Sequence, residues 1–167
     1  MDHVTIAFGE SCLRIGPGMW EVQRLDRLSP KDGIWILADS GEPKDTMGHL
    51  KRCKGDRLAL LSELGGNWDA NLEGKNLDQD QCRLLEATLT NRGTEAEASK
   101  SWTTASNMEA STEKKLGSLM MKHHEALRDG LGLSTTKLEA MGNAAITAGA
   151  WGYKLVGSGG GGCAVAW

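Results

Sequence analysis

The stretch YKLVGSGGGGCAVAW, residues 153–167, decides how the rest of the chain is read. Two short apolar runs, 153–156 and 163–167, flank a loop in which Gly157, Gly159, Gly160, Gly161 and Gly162 surround Ser158. Both runs have strand length and composition, so the stretch predicts two strands joined by a glycine loop. Glycine reaches positive φ without a Cβ clash. Backbone N–H groups can therefore crowd into a concavity that binds phosphate oxygens. The same glycines equally suit a hairpin against which another backbone packs closely, and the loop alone leaves both readings open. A Walker loop needs GK[ST] and a following helix, and a dinucleotide fingerprint also needs a helix; neither is present here.

Moving upstream, Ser134 is a good N-cap for a helix whose Leu138, Met141 and Ala145 face inward and which ends near Gly149. The clearest helix lies near 113–130. Leu116, Leu119, Met120, His123 and Leu127 recur at spacings of three and four, with Lys114, Lys115, Ser118, Lys122 and Arg128 on the other side. Gly130 and Gly132 can stop it. His123 falls on the apolar stripe and reads as a satisfied core histidine. Its neighbour His124 points about 100° away, so the pair cannot ligate one metal as residues i and i+4 do. Cys12, Cys53, Cys82 and Cys163 form no CxxC and no metal-ligand spacing, so reduced thiols and no metal site are expected.

In the first half, residues 4–8, 12–15 and 20–25 read as short strands, with a turn at Gly16-Pro17-Gly18. Residues 34–38, IWILA, form a continuous apolar run of strand length, which predicts a central strand. Helical composition follows at 44–53 and 56–64, then a Gly/Asn-rich linker at 65–76. A helix over 78–90 is capped by Asp78. Strands, then helices, then two strands make an α+β domain over 1–167, with helices packed on one side of a mostly antiparallel sheet.

Bulk properties exclude some functions. A net charge of -3 offers no basic footprint for nucleic acid. No apolar run approaches the roughly 20 residues a membrane helix needs. No basic n-region or cleavage-like site opens the chain, so a cytoplasmic protein is expected. Six tryptophans against one Phe and one Tyr are unusual, and they are expected at core and edge positions.

The segment DSGEPKDTMGH, residues 39–49, follows the apolar run. Small polar residues at a strand end commonly face a ligand, and Ser40, Lys44, Asp45 and Thr46 can bind a polyol or a phosphate. The alternative is a turn at Gly41 and Pro43, with Asp45 or Thr46 capping the next helix.

Together these stretches resemble the C-terminal half of a GHMP-superfamily small-molecule kinase, the group of galactokinases and mevalonate kinases. The likeness runs over residues 116–167, LGSLMMKHHEALRDGLGLSTTKLEAMGNAAITAGAWGYKLVGSGGGGCAVAW. It matches the family's LGxLM with HH, its STPKL and its AGAxGxKLxGxGGGGC, with Thr136 in place of the usual proline. DSGEPKDT resembles the galactokinase-like stretch, and Met1-Asp2-His3 resembles the family's MDQ.

The resemblance implies a ferredoxin-like C-terminal domain whose terminal helix and strand are missing. It also implies ATP with Mg²⁺ as cofactors, and transfer of the γ-phosphoryl to a sugar hydroxyl. Asp2 is then the catalytic carboxylate. Gly157, Ser158, Gly159, Gly160, Gly161 and Gly162 lie beside the nucleotide phosphates, and Ser40 and Lys44 line the acceptor pocket. No PxxxGLGSS-type phosphate loop occurs in the chain, so the isolated chain is expected to be inactive. A mevalonate-type acceptor is the nearest alternative. A binding or assembly module that pairs with a second copy or a separate N-terminal half, with no catalysis, is another. A His/Cys metal protein is a weaker one.

Overall fold

In a computed structural model the described residues are 11–16, 19–24, 33–44, 46–104 and 109–167. Strands β1 (Ser11–Gly16) and β2 (Met19–Arg24) form an antiparallel hairpin pairing Ser11 with Arg24 and Gly16 with Met19. The expected strand at 4–8 lies outside the described residues, as do Pro17 and Gly18 of the expected turn.

The second sheet holds β3 (Ile36–Asp39), β4 (Tyr153–Leu155) and β5 (Cys163–Ala166) in the order β3-β5-β4, with both pairings antiparallel. Between β3 and β4 run α1 (Thr46–Glu63), α2 (Gln79–Thr104), α3 (Ala110–Glu125), a π-helical turn (Ala126–Gly130) and α4 (Thr136–Thr147). The architecture is α+β, as the element order predicts.

The core sits between this sheet and the helices. Tyr153 and Leu155 of β4 and Ala164 and Ala166 of β5 alternate inward, meeting Leu127, Leu131, Leu133 and Leu138. Period-two alternation on a half-buried sheet produces this pattern. Helix α3 lies directly on the chain entering β4. A Cβ at Gly117 would stand 2.5 Å from the Trp151 carbonyl oxygen, so glycine is required for that approach. A smaller cluster joins Leu60 and Leu64 of α1 to Leu85 of α2.

Several local expectations change. Residues 34–38 do not form a central strand. β5 occupies the centre, and β3, like β4, is an edge among the described residues, with Ile34 72% and Leu37 68% exposed. An apolar run marks strand propensity but does not say which neighbours the chain returns. Residues 44–53 and 56–64 form one helix, because Gly55 weakens a helix interior by only about 1 kcal/mol. The helix from Asp78 continues through Gly93 to Thr104.

The N-cap of α2 is a reciprocal box: Gln81 N donates to Asp78 Oδ1 at 2.7 Å, and Asp78 N donates to Gln81 Oε1 at 3.0 Å. Residues 65–76 are more than a linker, since Trp68 and Ala70 pack on the smaller cluster. Thr135, rather than Ser134, caps α4, accepting from Leu138 N at 3.2 Å.

Candidate functional site

The site forms where β3 gives way to α1 and where the glycine loop joins β4 to β5. Ser40 N donates to Gly162 O at 2.9 Å, prolonging the β3–β5 ladder by one step. Gly162 N then donates to Glu42 O at 3.0 Å, so the 40–44 segment is laced to the loop from both sides. The loop closes against a third element, with Gly160 N donating to Leu133 O at 2.7 Å.

All five loop glycines have positive φ, from 69° at Gly160 to 118° at Gly161. Two of them show why side chains are excluded. A Cβ at Gly162 would collide with Cε of Lys44, and one at Gly159 with the Leu133 carbonyl. Close backbone packing, one of the two readings of the glycines, is therefore present. It uses the amides of Gly160 and Gly162. Those of Gly157, Ser158, Gly159 and Gly161 have no main-chain acceptor among the described residues.

Around these amides stand polar groups from the 40–49 stretch. Lys44 lays its aliphatic stem over Gly162 and donates from Nζ to Val156 O at 3.0 Å. No carboxylate partner meets the ammonium among the described residues. Ser158 Oγ donates to Thr46 Oγ1 at 3.3 Å, and Thr46 opens α1. The N-terminus of an 18-residue helix is thus directed at the loop. The His49 ring packs on Gly160. Ser40 differs from its neighbours: it is 1% exposed, and its Oγ accepts from Glu42 N at 3.2 Å in a local turn. Asp2 lies outside the described residues. An ammonium, two hydroxyls and amides without main-chain acceptors among the described residues stand together here and can receive an oxyanion such as a phosphate.

The histidine pair falls the other way round from the sequence reading. His124 is the core residue, 2% exposed, and His123 is half-buried. Leu155 N donates to His124 Nδ1 at 3.4 Å, which leaves the proton on Nε2 to donate to Glu139 Oε1 at 2.9 Å. The His124 ring also stands edge-on to Tyr153. Glu139 gathers further donors from Ser134 and from Arg128 Nη1 at 3.2 Å. Burial works to raise the Glu139 carboxyl, but the hydrogen bonds from Ser134 and Arg128 and the neighbouring His124 hold it below its ordinary range. Burial, and then the charges of Lys154, Arg57 and His124, push His123 down to about 4. Burial and then Glu139 push Tyr153 up to about 12. His124 stands four residues after Met120 and eight after Leu116, so the same apolar face carries it inward.

Three of the six tryptophans find a place here. Trp35 stacks on Trp167 at 4.7 Å between centroids, and Trp151 meets Trp167 edge-on at 6.1 Å. Among the described residues no group of three or more His, Cys, Asp or Glu side chains could hold a metal ion. No helix of the described residues is long and apolar enough to cross a membrane.

Fold and site define an α+β domain in which a glycine loop closes one end of a small antiparallel sheet beside a helix N-terminus. Residues 104–167 match the family described as GHMP kinases C terminal. Mevalonate kinase of Thermococcus gammatolerans is 39% identical over 85 residues, which is 51% of this chain and 25% of that protein. Mevalonate kinase of Pyrococcus abyssi is 59% identical over 49 residues, 29% of this chain and 14% of that protein.

Among solved structures, Lactococcus lactis galactokinase complexed with galactose superposes with a TM-score of 0.69 at 18% identity, covering 94% of this chain and 42% of that one. L. major mevalonate kinase in complex with R-mevalonate gives a TM-score of 0.65 at 19% identity, covering 99% and 42%. The chain thus spans a quarter or less of the curated relatives and under half of the solved structures. The structural likeness carries the fold alone.

Proposed function

We propose that this chain is the C-terminal portion of an ATP-dependent small-molecule kinase, and that its glycine loop and the 40–46 segment cradle phosphate during transfer to an alcohol hydroxyl. The observation that carries this is the set of amides at Gly157, Ser158, Gly159 and Gly161, free of main-chain acceptors among the described residues and flanked by the Lys44 ammonium. Such a surface suits nucleotide phosphates by position and charge. The residues that would hold ATP's phosphates are Gly157–Gly162 with Lys44, Thr46 and Ser158. Mg²⁺ would arrive with the nucleotide, and the nucleotide supplies the transferable γ-phosphoryl group. The resemblance assigns Asp2 to orient the acceptor hydroxyl or take its proton. Ser40 serves by holding the segment in shape.

For the acceptor, DSGEPKDT favours a sugar, while the matched sequence relatives are mevalonate kinases, which favours a mevalonate-type alcohol. We carry a phosphorylatable alcohol of either kind, with the mevalonate type preferred on sequence identity. Titrating the ¹⁵N-labelled chain with tripolyphosphate tests the cradle. Shifts are expected at the Gly157–Gly161 amides, and their absence at millimolar ligand removes the reading. Phosphoryl transfer by the isolated chain is expected to be undetectable with mevalonate or galactose, in a coupled ADP assay. Turnover would show that the phosphate site is complete in this chain.

A second reading, an assembly module, is favoured by the exposed apolar run Ile34–Leu37 that leads into β3. Unpaired strand edges invite pairing with a second copy. Light scattering on the eluting chain decides it: a dimer supports the reading and a clean monomer excludes it.

A further inference from the structure

Glu42 lies within the DSGEPKDT stretch but is assigned no role by it, yet three parts of the site meet on it. Its main-chain oxygen accepts from Gly162 N at 3.0 Å. Its Cβ packs against Gly161, where an added Cβ would stand 3.1 Å away and 2.9 Å from the Glu42 carbonyl oxygen. Its carboxylate accepts from Thr135 Oγ1 through Oε2. Thr135 is the residue whose hydroxyl caps α4 by accepting from Leu138 N. Its hydroxyl therefore donates to Glu42 while accepting from the helix, and both roles of one oxygen are filled. Leu133, two residues earlier, takes the Gly160 amide. The 40–44 segment, the glycine loop and the start of α4 thus form one closed circuit, and the carboxylate–hydroxyl bond is its side-chain link.

We propose that Glu42 is a positioning residue: it locks the glycine loop and Lys44 against the N-cap of α4, so that the free amides and the ammonium stay convergent. The proposal rests on the phosphate-cradle reading for its purpose, but not for its geometry. The loop's glycines can adopt many conformations, and without an anchor the convergence would be one among several. A hydrogen bond from a hydroxyl to a carboxylate is charge-assisted and directional, which suits it to this task.

The test uses the full 167-residue chain and hydrogen exchange resolved by residue. In Glu42→Ala, exchange at Gly160 and Gly162 is expected to rise about tenfold or more, while Leu119 and Leu127 keep their protection. Glu42→Gln, whose amide oxygen still accepts from Thr135, is expected to stay within about twofold of the parent. Thr135→Ser is expected to behave like Glu42→Gln. Thr135→Val is expected to loosen the loop, and adding Glu42→Ala to it should give no further increase.

Unchanged exchange in Glu42→Ala overturns the proposal, and so does equal loosening in Glu42→Ala and Glu42→Gln. Tripolyphosphate titration of the same variants separates the two ideas. Weaker binding by Glu42→Ala, about fivefold or more, joins the anchor to the cradle. A parent chain that binds no tripolyphosphate refutes the cradle while the exchange data still judge the anchor.

Discussion

The two sides of the three-stranded sheet behave differently although their strands look alike in sequence. On one side, β4 and β5 put Tyr153, Leu155, Ala164 and Ala166 into a core shared with the helices. On the other, β3 leaves Ile36 and Leu37 exposed at an edge. The apolar richness of IWILA exceeds that of YKL, yet YKL is the buried strand. Burial follows from which elements fold back onto a strand, and helices α3 and α4 return to β4 and β5.

The sharpest way to break this contrast is one substitution on each side. Leu155→Ala, at a fully buried position, is expected to cost about 2–5 kcal/mol by urea denaturation. Leu37→Lys is expected to change stability by no more than about 0.5 kcal/mol, because the side chain already faces solvent. If Leu37→Lys costs as much as Leu155→Ala, the edge is covered in solution and the contrast fails.

The histidine pair gives the next contrast. His124→Leu is expected to cost about 1–3 kcal/mol, because the buried Leu155 amide loses its acceptor and Glu139 loses a donor. The loop comes next: Gly162→Ala is expected to lose about 1–2 kcal/mol from its positive φ, with displacement of Lys44 as the structural consequence. Weakened tripolyphosphate binding by that variant, measured by NMR titration, would join the strain to the cradle.

A subtler effect is set by pH. His123 titrates near 4 in the folded chain and near 6.5 when unfolded. Between those values the unfolded state binds the extra proton, so stability rises with pH and is lost on acidification through that window. The urea midpoint of the parent should therefore fall from about pH 6.5 toward pH 4 more steeply than that of His123→Gln. Parallel slopes would show that His123 takes its proton equally in both states.

Much of the domain was legible from short-range rules. Strand length around 153–156 and 163–167, the stripe at Leu116, Leu119 and Leu127, and the Asp78 cap all depend on neighbours within a turn or a pleat. The capping of α4 slipped by one residue, because Ser134 and Thr135 are both competent caps and the choice is made by Glu139 drawing Ser134 away. His124 was missed because the stripe was drawn through His123. The pairing of Glu42 with Thr135 carried no signal although both lie in quoted stretches, since it spans 93 positions and neither residue type is unusual in a turn or a cap.

By itself, then, the chain determined the α+β order of elements and the glycine loop between its last two strands, because backbone propensity and side-chain period act locally. Only the tertiary structure decided that β5 is central, that His124 rather than His123 is enclosed, and that Lys44, Thr46 and Ser158 gather at the loop. Those outcomes depend on residues far apart in sequence coming into contact, and long-range packing sets them after local preferences have been satisfied.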